Sequence, residues 1–176
     1  MASQSTTIDS SPPIYLGKTG KLYLLKELYG SIKLPESVYH EVVVKGEDEG
    51  FEDATRIKAE IGKFLFVHQP GRERVDEVKE RSERIGFQLG KGEIECIALC
   101  MDIGDKVFLS DDEDAKKFAR IYGINSKGTI YLLLKSCKEG FLGKKECGKT
   151  FGEMVQKGFW VSPEIVEFFH RTLERI

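Results

Sequence analysis

The sequence predicts an α/β fold of three layers, α/β/α, around a central parallel sheet of about five strands, with a helical C-terminal tail. Three observations carry this expectation. Short β-branched or apolar runs alternate with longer stretches of helical period over residues 6–138. Acidic residues stand directly after two of those runs, at Asp9 and at Asp111-Asp112. Beyond residue 138 only helical patterns remain. Residues 1–138 are therefore expected to form the sheet-bearing domain, and 139–176 a helical extension packed on it. At 176 residues the chain has room for one such domain and an appendage.

The first element is the stretch Thr6-Thr7-Ile8-Asp9-Ser10-Ser11-Pro12-Pro13. Its β-branched residues favour an extended backbone. Ser11 is expected to cap a helix that accepts Pro12 in its first turn. Asp9 then sits at the carboxyl end of a strand, the edge at which open α/β sheets bind ligands. Capping alone is the simpler role for a lone Asp at such a turn. The helix after it breaks at Gly17-Lys18-Thr19-Gly20, resumes at Leu22 and stops at Gly30. That break lacks Walker spacing and reads as a joint between two helices.

Ser31–Pro35 is the second strand, followed by a helix over Glu36–Val44 with Glu41 at its middle. Gly46–Gly50 reads as an acidic turn and Phe51–Ile61 as another helix. Lys63–His68 is the third strand. Gly71–Gly86 is a charged helix expected to be solvated, on an edge or as a lid. Glu93–Ile103 is the most apolar helix and carries Glu93 and Glu95 in its first turn. Lys106–Ser110 is the fourth strand, with Asp111-Asp112 at its end, then a helix over Ala115–Tyr122. Ile124–Ser126 is the fifth strand and Gly128–Lys138 an apolar helix. In the tail, Ser162-Pro163 opens a helix with an apolar stripe from Ile165 to Leu173.

Composition narrows the function. The formal net charge is −2, so contact with nucleic acid needs a local patch or metal ions rather than a basic field. No apolar run reaches membrane-spanning length and no signal pattern opens the chain, so a cytoplasmic location is expected. The four cysteines lack zinc-ligand spacing, and Cys96 and Cys100 read as packing residues.

Right-handed crossovers bring all strand carboxyl ends to one edge. Asp9, Glu41, a glutamate of the Glu93/Glu95 pair and an aspartate of the Asp111/Asp112 pair converge there. Clustered carboxylates repel and raise one another's pKa. Such a cluster suits hard divalent cations, Mg²⁺ or Mn²⁺, which favour oxygen ligands. Two such ions about 4 Å apart are the machinery of phosphodiester hydrolysis. Glu93 shares its helical stripe with core-facing Ile97, Cys100 and Met101, which favours it over Glu95 as the site-facing residue. Asp111 mirrors Asp9 and Asp112 lies one residue further on. One of them is expected to reach the metal and the other to cap the next helix. Both glutamates also read as ordinary acids at a helix N-terminus. A response-regulator receiver would want an acidic pair after strand one and a lone Asp after strand three. Here strand one gives a single Asp, and strand three ends in His68-Gln69-Pro70.

Four motifs in order, Asp9-Ser10-Ser11-Pro12, Pro35–Val42, Gly92–Leu99 and Asp111–Lys116, resemble those of PIN-domain proteins, the fold of VapC-type toxin ribonucleases. The later Gly158–Pro163 also resembles a prokaryotic branch of that family. The resemblance spans essentially the whole chain. It implies a metal-dependent endoribonuclease, with Asp9, Glu41, Glu93 and Asp111 as acidic residues and Asp112 and Glu95 as near neighbours. Lys18, Lys45, Lys116, Lys117, Arg120 and Lys127 become candidate contacts to the RNA backbone. An antitoxin protein and a second copy of the chain are the protein partners to expect. The rival function is a catalytically silent PIN-like module that binds RNA or protein.

Overall fold

The computed structural model describes residues 6–176. Among these, one parallel sheet has the order β3-β2-β1-β4-β5. Its strands are β1 (Thr6–Ile8), β2 (Ile32–Leu34), β3 (Leu65–Val67), β4 (Val107–Leu109) and β5 (Asn125–Lys127). β1 is central, with Thr6 aligned to Ile32 on one side and to Val107 on the other. The chain leaves β1 toward β2 and β3, then returns to β4 and β5. The β1/β4 seam is thus the point where strand order reverses, the crevice favoured for ligands. Pairing continues one residue past the strands, with the Asp9 N–H on the Leu109 carbonyl at 2.9 Å and Ser110 N–H on Lys127 at 3.0 Å.

The helices are α1 (Ser11–Lys18), α2 (Tyr23–Tyr29), α3 (Glu36–Tyr39), α4 (Gly46–Asp48), α5 (Glu52–Lys58), α6 (Arg72–Arg84), α7 (Lys91–Ile103), α8 (Glu113–Ile121), α9 (Thr129–Lys138), α10 (Lys144–Gln156) and α11 (Pro163–Arg175). A π-helical segment, His40–Lys45, joins α3 to α4. α7 lies on β1 and β4 with α3, α6 and α8 beside it. α1 packs with α5, α9 and α10, and α2 with β2 and α9. The expected architecture, a parallel five-stranded sheet flanked by helices, is what the chain forms. Ile8, Ile32, Leu34, Phe108 and Leu109 fill the sheet's core contacts. The left-handed Gly104 ends α7 and turns the chain toward β4.

Several local expectations need correction. The helix from Glu36 does not stop at Val44. It runs through the π segment into α4, because Gly46 lets the backbone close on α5 where a Cβ would meet Ala54 Cβ at 2.6 Å. Ser11 is inside α1, not its cap. Its hydroxyl is drawn instead to Asp111, at 2.8 Å. α6 is not merely solvated, since Val78 and Ser82 are buried and the helix packs on α7. β5 begins one residue later than expected.

Polar β1 also finds its reason. The Thr7 hydroxyl donates to buried Asp105 at 2.8 Å, and Lys33 pairs with the same carboxylate at 3.3 Å. Paired and hydrogen-bonded, these groups avoid the cost of isolated burial. In the tail, α10 packs on α9 and α1, and α11 on α9 and α10. Phe151 and Phe169 stack at 4.0 Å between ring centroids. All four cysteines are free and buried. Among the described residues, no helix is long and apolar enough to cross a membrane.

Candidate active site

Three elements meet at the carboxyl end of β1. β1 delivers Asp9, the α3–π run delivers Ser37, His40, Glu41 and Lys45, and the N-terminus of α7 delivers Gly92 and Glu93. Together they line a cavity of about 580 Å³. The wider turn of a π helix keeps residues four and five apart on one side, so Glu41 and Lys45 share the wall with His40. Gly92 lets α7 approach closely, since a Cβ there would lie 3.3 Å from Val38 and 3.6 Å from Asp9 Oδ1.

Asp9 is only 6% exposed and accepts a hydrogen bond from the Ser110 hydroxyl at 3.0 Å. Burial pushes its pKa up to about 6. Repulsion from Glu41 and Asp112 adds to this, while bonds from the Ser10 backbone and Ser110 oppose it. Glu93 folds back to accept the Gly90 N–H at 2.6 Å, one half of a capping box. Burial pushes Glu93 up to about 7, the Gly90 N–H opposes, and Asp112, Asp9 and Glu41 add repulsion.

Asp112 and Asp111 diverge. Asp112 caps α8 by accepting from Ala115 N–H at 2.7 Å, and its charge reaches both Asp9 and Glu93. It lies outside the cavity lining. Asp111 accepts the Thr129 N–H at 2.7 Å, the Thr129 hydroxyl at 2.6 Å and the Ser11 hydroxyl at 2.8 Å. A Cβ on Gly128 would sit 2.8 Å from Asp111 Oδ1. Asp111 thus points away from the carboxylate cavity and ties α1, β4 and α9 together. The structure brings together Asp9, Glu41 and Glu93, with Asp112 in electrostatic range, and leaves Asp111 apart. Glu95 does not line the cavity and lies 3.8 Å from Lys91.

The donor set is carboxylate oxygen, buried at Asp9, half-buried at Glu93 and exposed at Glu41 and Asp112, with mutual repulsion that a hard divalent cation would relieve. Among the described residues, no group of three His, Cys, Asp or Glu side chains stands ready to hold a metal ion. Glu93 and Asp112 are turned to backbone N–H groups and Asp9 to Ser110.

Of the expected lysines, Lys45 lines the cavity. Lys18 lies over Tyr15 at 5.0 Å and Lys127 over Tyr131 at 4.6 Å. Lys116 pairs with Glu113 at 2.5 Å and Lys117 with Asp114 at 3.5 Å, while Arg120 is exposed. Sequence reasoning missed His40, which reaches the cavity from a π turn that no residue pattern announces, and also Ser37 on α3 and Lys91 at the start of α7. It also missed the Thr129 partner of Asp111, which is distant in sequence.

A family model for a PIN domain, DUF3368, matches residues 5–175. Among solved structures, the toxin VapC20 of Mycobacterium tuberculosis, described as cleaving the Sarcin-Ricin loop, is 15% identical with a TM-score of 0.49. That match covers 64% of this chain and 93% of VapC20. No curated protein matches the chain. The family match covers nearly every residue that the sheet, its flanking helices and the carboxylate cavity are built from, and on it the chain belongs to the DUF3368 family of PIN domains.

Proposed function

We propose that this chain is an endoribonuclease that hydrolyses RNA phosphodiesters with Mg²⁺ or Mn²⁺ held by Asp9, Glu41, Glu93 and Asp112. The observation that carries this reading is Asp9: a buried carboxylate at the β1/β4 seam, its pKa raised to about 6 by burial and by Glu41 and Asp112. A cluster of this kind is relieved by a cation. When bound, the metal would supply Lewis acidity at the scissile phosphate.

The chain's own residues do the rest. Ser110 holds one oxygen of Asp9 in position. The Gly90 N–H holds Glu93 at the mouth of α7. Lys45, on the cavity wall, provides positive charge for a phosphate oxygen. Asp111 has no ligand role here, because its oxygens are taken by Ser11 and Thr129. Glu95 is likewise left out of the ligand set. Family membership supports the same chemistry. An antitoxin chain as partner, pairing of two copies and a cytoplasmic location belong to this proposal.

The test is cleavage of a panel of single-stranded RNAs by the purified protein, with Mn²⁺ and with EDTA. Cutting is expected only with the metal, and is lost in Asp9→Asn and Glu93→Gln. Cutting that persists in EDTA, or in both variants, overturns the reading, and a protein that cuts nothing in the panel is the silent binding module.

A further inference from the structure

A second, larger groove of about 1140 Å³ shares no lining residue with the carboxylate cavity. It lies between α9 and α11 and is closed at one side by the loop that carries Trp160. Asp111 lines it. The residue before Asp111, Ser110, is bonded to Asp9 at 3.0 Å, and the residue after it, Asp112, caps α8. One turn of chain therefore separates the groove from the carboxylates.

The groove has a chemistry of its own. Trp160, the chain's single tryptophan, is 85% exposed. Tyr131 and Phe168 present further exposed rings along the same walls. Aromatic surface left this bare is not explained by core packing and marks a contact surface. The charges around it do not balance. Among the lining side chains, four cations, Lys116, Lys135, Lys138 and Arg175, stand against three carboxylates, Asp111, Glu113 and Glu139. Lys135, Lys138 and Arg175 line the groove, and none of them has an ion pair among the described residues. Lys127 and Lys135 instead stand over the Tyr131 ring at 4.6 and 5.8 Å. Of the lining acids, Glu113 pairs with Lys116 and Asp111 is held by Ser11 and Thr129.

A local excess of cations beside flat ring faces, in a chain of net charge −2, fits a polyanion with flat π faces of its own. Unpaired RNA has both features. We propose that this groove binds single-stranded RNA flanking the cleavage point, with a base stacked on Trp160 and phosphates against Lys135 and Lys138. The proposal rests on reading the carboxylate cavity as an RNA-cleaving centre, and it extends the substrate's footprint to the C-terminal helices. A duplex, its bases already stacked, has no base to offer Trp160.

The experiment uses full-length Asp9→Asn protein in EDTA, so that RNA is bound and not cut. The probe is a labelled 12-nucleotide oligouridylate, followed by anisotropy and by Trp160 emission in the same titration. Both signals are expected to change together, with emission quenched by single-stranded RNA and not by a duplex of equal length. Trp160→Ala weakens binding about tenfold, within the range of a lost base–aromatic stack, and Trp160→Phe restores most of it. Trp160 is exposed, so its variants keep the wild-type melting temperature. Lys135→Ala and Lys138→Ala each flatten the slope of log K against log salt by about 0.7. A rise in anisotropy with unchanged Trp160 emission, and equal binding by Trp160→Ala, overturns the groove and leaves the nuclease reading standing. The absence of any anisotropy change overturns the groove, and the nuclease reading stands or falls separately on the cleavage panel with Mn²⁺. An emission shift that follows protein concentration without RNA, together with a dimer in sedimentation, assigns the groove to a second copy and overturns the RNA site.

Discussion

Asp111 and Asp112 are neighbours in sequence and opposites in circumstance. Asp111 receives three hydrogen bonds from Ser11 and Thr129. Hydrogen bonds to a charged acceptor are worth about 1.5–3 kcal/mol each and are not additive. Asp111→Ala is therefore expected to cost about 2–4 kcal/mol in urea unfolding. Asp112→Asn keeps a capping oxygen for Ala115 and is expected to stay within about 1 kcal/mol of the parent. The same change lowers metal-dependent RNA cleavage by about 100-fold or more. If Asp111 variants lose cleavage at full stability, the two assignments are reversed.

Asp9 gives a pH signature of its own. Its folded pKa of about 6 lies above the ordinary 3.8, so the folded state binds more protons than the unfolded state between those values. Its contribution to stability is complete below pH 3.8 and is lost as pH rises through 6. The loss is on the order of 2–3 kcal/mol. Asp9→Asn in EDTA should melt higher than the wild type at pH 8 and equally at pH 4. A constant difference across that range would show that burial does not penalise the charge.

At the scale of elements, the π segment is what makes the cavity wall. A continuous α-helix over Glu36–Asp48 would present a different set of side chains to Asp9. Gly46, at the end of that segment, allows the close approach of α5 against Ala54. Gly46→Ala is expected to destabilise by about 1–3 kcal/mol through overpacking, less what alanine gains in helix propensity. Adding Ala54→Gly should recover part of this, leaving a coupling of about 1 kcal/mol in a double-mutant cycle. Additive losses would mean that the helices separate freely and that the wall is soft.

At the scale of the molecule, the parallel register sets everything at one level. Ile8 is aligned with Leu109, so the residues after them, Asp9 and Ser110, meet. α7 then lies across β1 and β4 and brings Glu93 to the same edge. A cation bound there stabilises the fold by mass action, about 2.7 kcal/mol at a hundredfold excess over its Kd. Mn²⁺ should therefore raise the melting temperature at pH 7.5. Asp9→Asn and Glu93→Gln should abolish most of that rise. An equal rise in the variants would put the metal elsewhere.

Much of this was legible in the sequence. β-branched Thr6, Thr7 and Ile8, the stop at Gly30 and the apolar run of α7 follow local rules of backbone and period. Local rules are enough to set element order and a parallel sheet. The place of Asp9 on the cavity wall was legible because it directly follows a strand, and that of Glu93 because it shares a stripe with core residues. What only the tertiary structure decided depends on contacts between distant residues. The different partners of Asp111 and Asp112 were decided by Thr129 and Ser11, which bond Asp111 across α9 and α1, and by Ala115, whose N–H binds Asp112. His40 and Lys45 reached the cavity through a π turn that periodicity does not announce. Trp160 is a bare ring beside unpaired lysines because α11 folds back along α9. Propensity acts along the chain and fixes the elements, whereas the partners of a carboxylate or a ring are fixed by packing across it.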